Sequence, residues 1–144
     1  MNYENVILER EGHIAVLTLN RPDVLNALNK DLQDEGRAAC AEIESDDSIR
    51  VLIVTGAGRG FCAGADLTGR GADSDAKIAP QSDRLDEFGW VGRQAVSLYR
   101  MTKPTIAAVN GVAVGAGMSL ALACDMRIGS DLTRFKTTFL ERSL

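Results

Sequence analysis

The sequence predicts an α/β fold with parallel strand pairing, and three observations carry that expectation. Two strand-like apolar runs, Val51 to Val54 and Thr105 to Val109, stand about fifty residues apart, and each leads through small, glycine-rich residues into a helix start. The first run is continuous, as in a strand covered on both faces. Helical stripes recur between strand-like runs without any repeat of the sequence itself, and such alternation favours a parallel sheet.

The elements follow in order. Residues 5–9 and 14–19 alternate as a strand pair joined by a turn at Gly12. Arg21-Pro22 ends the second strand, since proline cannot donate to a ladder. Asn29 is placed to cap a helix with Asp31 in its first turn, and Leu32, Ala39, Cys40 and Ile43 share one helix face. Asp46-Asp47-Ser48 ends that helix, and Val51 to Val54 is the next strand. Residues 68–83, with Gly69, Gly71, Asp73, Asp75 and Pro80, read as a loop, either a surface connection or a lid beside a pocket. Phe88, Val91, Ala95, Leu98 and Thr102 form a helical stripe that stops before Pro104. After the strand at 105–109, residues 116–124 are nearly all small or apolar and predict a buried helix. Met126 to Ile128 reads as a short strand, and Phe135, Phe139 and Leu140 predict a last helix from Thr137 or Thr138.

Composition narrows the function. The 144 residues suffice for one domain with its own core. A formal net charge of -4, with no basic run, argues against nucleic acid and anionic membrane surfaces as partners. The apolar stretch 105–124 is broken by Asn110 and several glycines, so it reads as strand plus core helix and not as a membrane span. The N-terminus carries Glu4, Glu9 and Glu11 without an apolar signal core. Cys40, Cys62 and Cys124 are an odd set without paired spacing, which predicts reduced thiols and a cytoplasmic location. The one histidine, His13, falls in a turn, and no metal site is expected.

The chemistry lies in the two glycine-rich turns. Each leaves backbone N–H groups free at its end. Set side by side, two such turns aim two amides at one oxygen, which stabilises negative charge on a carbonyl. Gly56, Gly58 and Gly60 after a strand also suggest a dinucleotide turn, but that fingerprint wants its third glycine where Phe61 stands.

The residues then carry a resemblance. Asn20-Arg21-Pro22 with Asn26-Ala27-Leu28-Asn29 comes first, then Gly60-Phe61-Cys62-Ala63-Gly64-Ala65-Asp66-Leu67. Lys103-Pro104-Thr105-Ile106-Ala107-Ala108-Val109-Asn110-Gly111, Gly115-Ala116-Gly117 and Cys124-Asp125 follow. In this order, over nearly the whole chain, they resemble the signatures of the crotonase superfamily, the enoyl-CoA hydratases and isomerases. The resemblance implies a spiral of strand-strand-helix units and an acyl-CoA thioester as ligand. It implies a homotrimer or a hexamer made of two trimers, a setting in fatty acid metabolism, and no metal or redox cofactor, coenzyme A being part of the substrate. It also implies that residues 1–144 form a single domain that is the N-terminal part of a longer one, in keeping with a helix left uncapped at Ser143-Leu144.

The resemblance maps the two oxyanion-hole amides onto Ala65 and Ala116. Residue chemistry agrees. Ala116 opens a helix, so its amide lacks an intrahelical partner and sits at the positive end of the dipole. Gly64 lets a ligand approach, and Ala65 has no bulk to block it. The backbone of Ala63, Gly64, Ala65, Asp66 and Leu67, with Ala27 and Gly115, is implied to line the CoA side. Asp66 reads as a cap or local hydrogen-bonding residue and not as a catalytic acid.

The pattern also departs from the family's. Hydratases of the family carry two glutamates, and their positions fall here at Ser119 and Phe139. Neither does carboxylate acid–base work, and Ser119 is expected to bond back to a carbonyl one turn earlier. The isomerase branch uses one carboxylate in a turn after a helix like Thr138 to Leu144. Glu141 is the nearest carboxylate, with a solvated helix face as its plainer reading. The expected function is enoyl-CoA isomerase or hydratase-like chemistry through an enolate. The alternatives are a hydratase or other lyase or hydrolase whose acid lies beyond Leu144, and a non-catalytic binder of CoA esters.

Overall fold

The structure, a computed structural model, describes residues 3–66 and 89–137, with side chains from residue 92 onward in the second span. The chain runs β1 (Val6–Glu11), β2 (Ile14–Leu19), a 3-10 turn (Pro22–Val24), α1 (Lys30–Glu44), β3 (Val51–Gly56) and β4 (Gly60–Cys62). It continues with α2 (Gly89–Tyr99), β5 (Thr105–Val109), β6 (Val112–Val114), α3 (Ala116–Ala123), β7 (Met126–Gly129) and β8 (Arg134–Lys136).

The strands form a five-stranded sheet in the order β1-β2-β3-β5-β7 and a three-stranded sheet in the order β4-β6-β8. Only β1 and β2 pair antiparallel, through the turn at Gly12; every other named pair is parallel. From β3 onward, each strand-strand-helix unit adds one strand to each sheet. That winding is the spiral the resemblance implies.

Local chemistry explains the helices. The Asn29 side chain accepts from the Leu32 amide at 2.9 Å, so α1 starts where a short polar side chain can satisfy its first turn. The Glu35 carboxylate on α1 accepts from the backbone amides of Glu4, Asn5 and Val6, which fixes the helix to the entry of β1. Lys103 Nζ donates to the carbonyls of Ile43 and Asp46 at the far end of α1. Between sheet and helices lies one core: Leu17, Leu19, Leu52, Val54, Ala107 and Val109 from the strands meet Leu32, Ile43, Leu98 and Leu120 from the helices. Each buried leucine or isoleucine there contributes about 1.5–3 kcal/mol. No described helix is long and apolar enough to cross a membrane.

Several sequence expectations need correction. Neither glycine-rich stretch is a simple turn between strand and helix: each contains a three-residue strand, β4 in the first and β6 in the second. Phe135, one of the apolar residues from which the last helix was expected, lies in the strand β8 that precedes position 137. The run 51–54 is buried on one face only, with Leu52 and Val54 inside and Val51 and Ile53 half-buried. Helix α3 is not wholly buried either, since Ser119 and Leu122 are exposed. The loop expected at 68–83, Phe88 and the last helix's Thr138, Phe139 and Leu140 lie outside the described residues.

Candidate active site

The site begins in the loop between β2 and α1. Leu25 and Asn26 both take left-handed backbone conformations, with φ of 53° and 57°. Such conformations are costly away from glycine and persist only where surroundings hold them. Here Asn26 is fully buried and its side chain supplies the hold. Its Oδ1 accepts from the Arg21 amide at 2.8 Å, and its Nδ2 donates to the carbonyls of Ala57 and Gly60 at 3.0 and 2.9 Å. One side chain therefore locks the loop to the turn before β4.

That lock sets residues 63–66 beside the loop. The Ala63 amide donates to the Leu25 carbonyl, the Leu28 amide to the Gly64 carbonyl, and the Asp66 amide to the Leu28 carbonyl. Leu28 and Ala65 thus form an isolated parallel bridge. In such a bridge the residue opposite directs its own N–H and C=O away. The Ala65 amide is accordingly turned to the other side of the strand, where β4 pairs with β6. Arg21 closes the arrangement: its Nη1 donates to Asp66 Oδ2 at 2.9 Å and to the Ala27 carbonyl at 2.6 Å. Asp66 is therefore tied to a residue 45 positions earlier, an ion pair instead of the purely local contact expected from sequence.

The second segment comes from β6 and α3. Gly115 precedes the helix with φ 52° and ψ -118°, a conformation open to glycine, and its amide donates to the Lys136 carbonyl of β8. Ala116 is the first residue of α3. No described group accepts from the amides of Ala65 or Ala116. The two segments touch at Gly64, whose φ is 97°. A side-chain carbon there would stand 2.7 Å from the Val114 carbonyl oxygen and 3.7 Å from the Ala116 nitrogen. Gly117 allows the matching approach from the helix, since a side chain on it would run into the Cys62 backbone and Cβ.

Asn110 braces the opposite end of both turns. Its Nδ2 donates to the carbonyls of Gly56 and Gly58, each at 2.9 Å, while its Oδ1 accepts from the Gly56 amide at 3.3 Å. Burial pushes the Cys62 thiol up to about 12, so it stays protonated and acts as packing under the turn.

Of the residues singled out from sequence, Ala63, Gly64, Ala65, Asp66, Ala27, Gly115 and Ala116 fall in these adjoining segments. Ser119 lies one turn into α3, exposed, with its Oγ 3.4 Å from the Gly115 carbonyl. Leu67, Phe139 and Glu141 lie outside the described residues. Sequence reasoning gave no role to Arg21, Asn26 or Asn110, although each stands in a stretch that carried the resemblance.

This geometry has clear relatives. A family model described as enoyl-CoA hydratase/isomerase matches residues 9–142. A Mycobacterium tuberculosis protein named a probable enoyl-CoA hydratase is 42% identical over 142 residues, covering 99% of this chain and 53% of the relative. The 1,2-epoxyphenylacetyl-CoA isomerase of Escherichia coli is 38% identical over 141 residues, 98% of this chain and 53% of that protein. Among solved structures, the enoyl-CoA hydratase from Bacillus anthracis superposes with a TM-score of 0.84 at 30% identity, covering 98% of this chain and 53% of its own. The chain thus spans about half the length of the curated relatives it matches.

Proposed function

The chain belongs to the enoyl-CoA hydratase/isomerase family, and from that premise we propose that it binds an acyl-CoA thioester and holds the thioester oxygen between the amides of Ala65 and Ala116. A carboxylate base, supplied from outside the described residues, takes the proton from the carbon next to the thioester, which places negative charge on that oxygen, and returns that proton to another carbon of the acyl chain. Two fixed N–H donors then stabilise the enolate more than the neutral ester, which is what lowers the barrier. The helix dipole of α3 adds to the effect at Ala116. The reaction is of the isomerase or hydratase type, and the assembly is a trimer or a pair of trimers.

The observation that supports this reading is the contact between the two segments at Gly64, with both amides left without a described acceptor. A second reading, a thioester binder without catalysis, draws support from Ser119, a hydroxyl bonded back to its own helix. It draws support also from Asp66, the carboxylate beside the amides, which is held by Arg21.

The test is Ala116→Pro. Proline is well tolerated at the first position of a helix and removes only the N–H in question. Crotonyl-CoA hydration and β,γ-to-α,β enoyl-CoA isomerisation are followed by absorbance, and butyryl-CoA binding by calorimetry. Turnover in the wild-type chain that falls about 100- to 1000-fold in Ala116→Pro, with unchanged circular dichroism, supports the enolate reading. Thioester binding without turnover favours the second reading, and no thioester binding defeats both.

A further inference from the structure

A charge stands beside the Ala65 amide. Asp66 is the only charged residue in the stretches 60–66 and 111–119, which supply the two amides. It follows Ala65 immediately, so chain geometry keeps its carboxylate within about 9 Å of the Ala65 nitrogen. An oxygen bonded to that amide lies at most about 3 Å further away. A carboxylate so near opposes negative charge on the oxygen, the reverse of what the two amides supply.

Arg21 is built in where it answers that charge. Its Nη1 donates to Asp66 Oδ2 at 2.9 Å and to the Ala27 carbonyl at 2.6 Å. Ala27 precedes Leu28 and Asp66 follows Ala65, so one guanidinium nitrogen joins both sides of the Leu28–Ala65 bridge. The Arg21 side chain is 22% exposed and that of Asp66 10%. Charges buried to this degree are screened far less than exposed ones. The backbone of Arg21 is fixed as well: its amide donates to Asn26 Oδ1 and its carbonyl accepts from the Asn26 amide, both at 2.8 Å. The cation is held in place before any ligand arrives.

We propose that Arg21 is a positioning residue for the enolate: it holds the Asp66 carboxylate against the loop between β2 and α1 and offsets its charge at the oxygen bound by Ala65 and Ala116. This role rests on the proposed function and adds to its two donors a compensated charge. At about 12 Å and an effective dielectric of about 20, one unit charge changes an equilibrium that forms an anion about tenfold. Each charge acts by its own sign and distance, so the effects do not depend on what else Asp66 touches. A purely structural tie behaves otherwise, since breaking it from either end costs the same.

Acetoacetyl-CoA is the probe, because its enolate absorbs in the near ultraviolet and reports the charge without turnover. The bound enolate is titrated against pH in the wild-type chain, Arg21→Lys, Arg21→Met, Asp66→Asn, the Arg21→Met/Asp66→Asn double variant and Ala116→Pro, with butyryl-CoA affinity measured beside it. Arg21→Met should raise the midpoint of the bound enolate by about one pH unit, a tenfold loss. Its affinity for butyryl-CoA, whose oxygen stays neutral, should remain close to that of the wild-type chain. Arg21→Lys keeps the charge and should keep the midpoint. Asp66→Asn should lower the midpoint, and the double variant should return it close to the wild-type value. Should Arg21→Met fail to fold, the sign of the shift in Asp66→Asn decides. Equal losses in Arg21→Met, Asp66→Asn and the double variant, or no change in any of them, overturn the proposal. Ala116→Pro separates the two readings. A loss there with none in Arg21→Met defeats the charge role alone. An enolate indifferent to Ala116→Pro, or a wild-type chain that binds neither thioester, defeats the proposed function and this role with it.

Discussion

Asn26 shows how much of the site rests on one side chain. Its amide makes three hydrogen bonds inside the protein while its own backbone sits at positive φ. Asn26→Ala removes all three and leaves the Ala57 carbonyl and the Arg21 amide without those partners. The expected loss is about 3 kcal/mol of unfolding free energy, read from urea denaturation. Unlike a surface change, it should also weaken thioester binding, because residues 63–66 are set by the loop that Asn26 holds. The cysteines carry the opposite expectation. Burial raises Cys40 and Cys62 to about 12 and Cys124 to about 11. Since the thiolate is the reactive form, none of the three should react with Ellman's reagent at pH 8 until urea unfolds the chain. Rapid labelling of Cys62 in the native protein would contradict the packing of β4 under α3.

At the scale of elements, the approach of α3 to β4 through Gly117 is the feature on which alignment of the two segments depends. Gly117→Ala gains helix propensity of about 1 kcal/mol, but it drives Cβ into the Cys62 backbone, which cannot move as a flexible side chain can. The expected net is destabilisation, about 1–3 kcal/mol, with thioester affinity reduced as the Ala65 and Ala116 segments separate. Acid should act through the joints between elements. Asp125 accepts from the Thr105 amide and hydroxyl, which hold its carboxyl below the usual range. Arg10 does the same for Glu42, and Lys30 for Asp34. A group whose folded pKa is depressed stabilises the fold above its unfolded pKa and loses that contribution as pH falls through the folded value. Urea midpoints should therefore hold from pH 7 to about 5 and fall below about 4, with a shallower fall in Asp125→Asn. The same elements explain what was legible beforehand. The β1–β2 pair and α1 carry strong periods and clear end signals, so they could be read directly. Strands β4 and β6 have three residues each, the first opening on Gly60 and the second lying between Gly111 and Gly115, too few to show a period of two. Phe135 fits a helical spacing with Phe139 as well as it fits a strand, and only pairing with β6 decides it. The glycines and alanines of the site were readable from their order, whereas the Arg21–Asp66 pair joins residues that no local pattern connects.

For the whole molecule, the spiral leaves β7 and β8 as the outer edges of the two sheets. Among the described residues neither pairs with a further strand on its outer side, and open strand edges recruit other strands. Apolar side chains stand there too: Met126 and Ile128 on β7 are 51% and 63% exposed, and Leu132 and Phe135 are 62% and 47% exposed. A cluster of this kind on a chain of 15.4 kDa favours association over a stable monomer. Sedimentation at tens of micromolar should therefore show species heavier than one chain. Lysine on an edge blocks pairing by charge and by the water it holds. Ile128→Lys with Phe135→Lys removes two apolar contacts of at least about 1.5 kcal/mol each, which corresponds to a dissociation constant about 100-fold higher. These positions lie outside the Ala65–Ala116 segments, so the double variant should keep the circular dichroism and thioester binding of the wild-type chain while sedimenting as a monomer. A wild-type chain that stays monomeric at 100-fold higher concentration would show that these edges are not sticky, and the apolar exposure would then be harmless on its own.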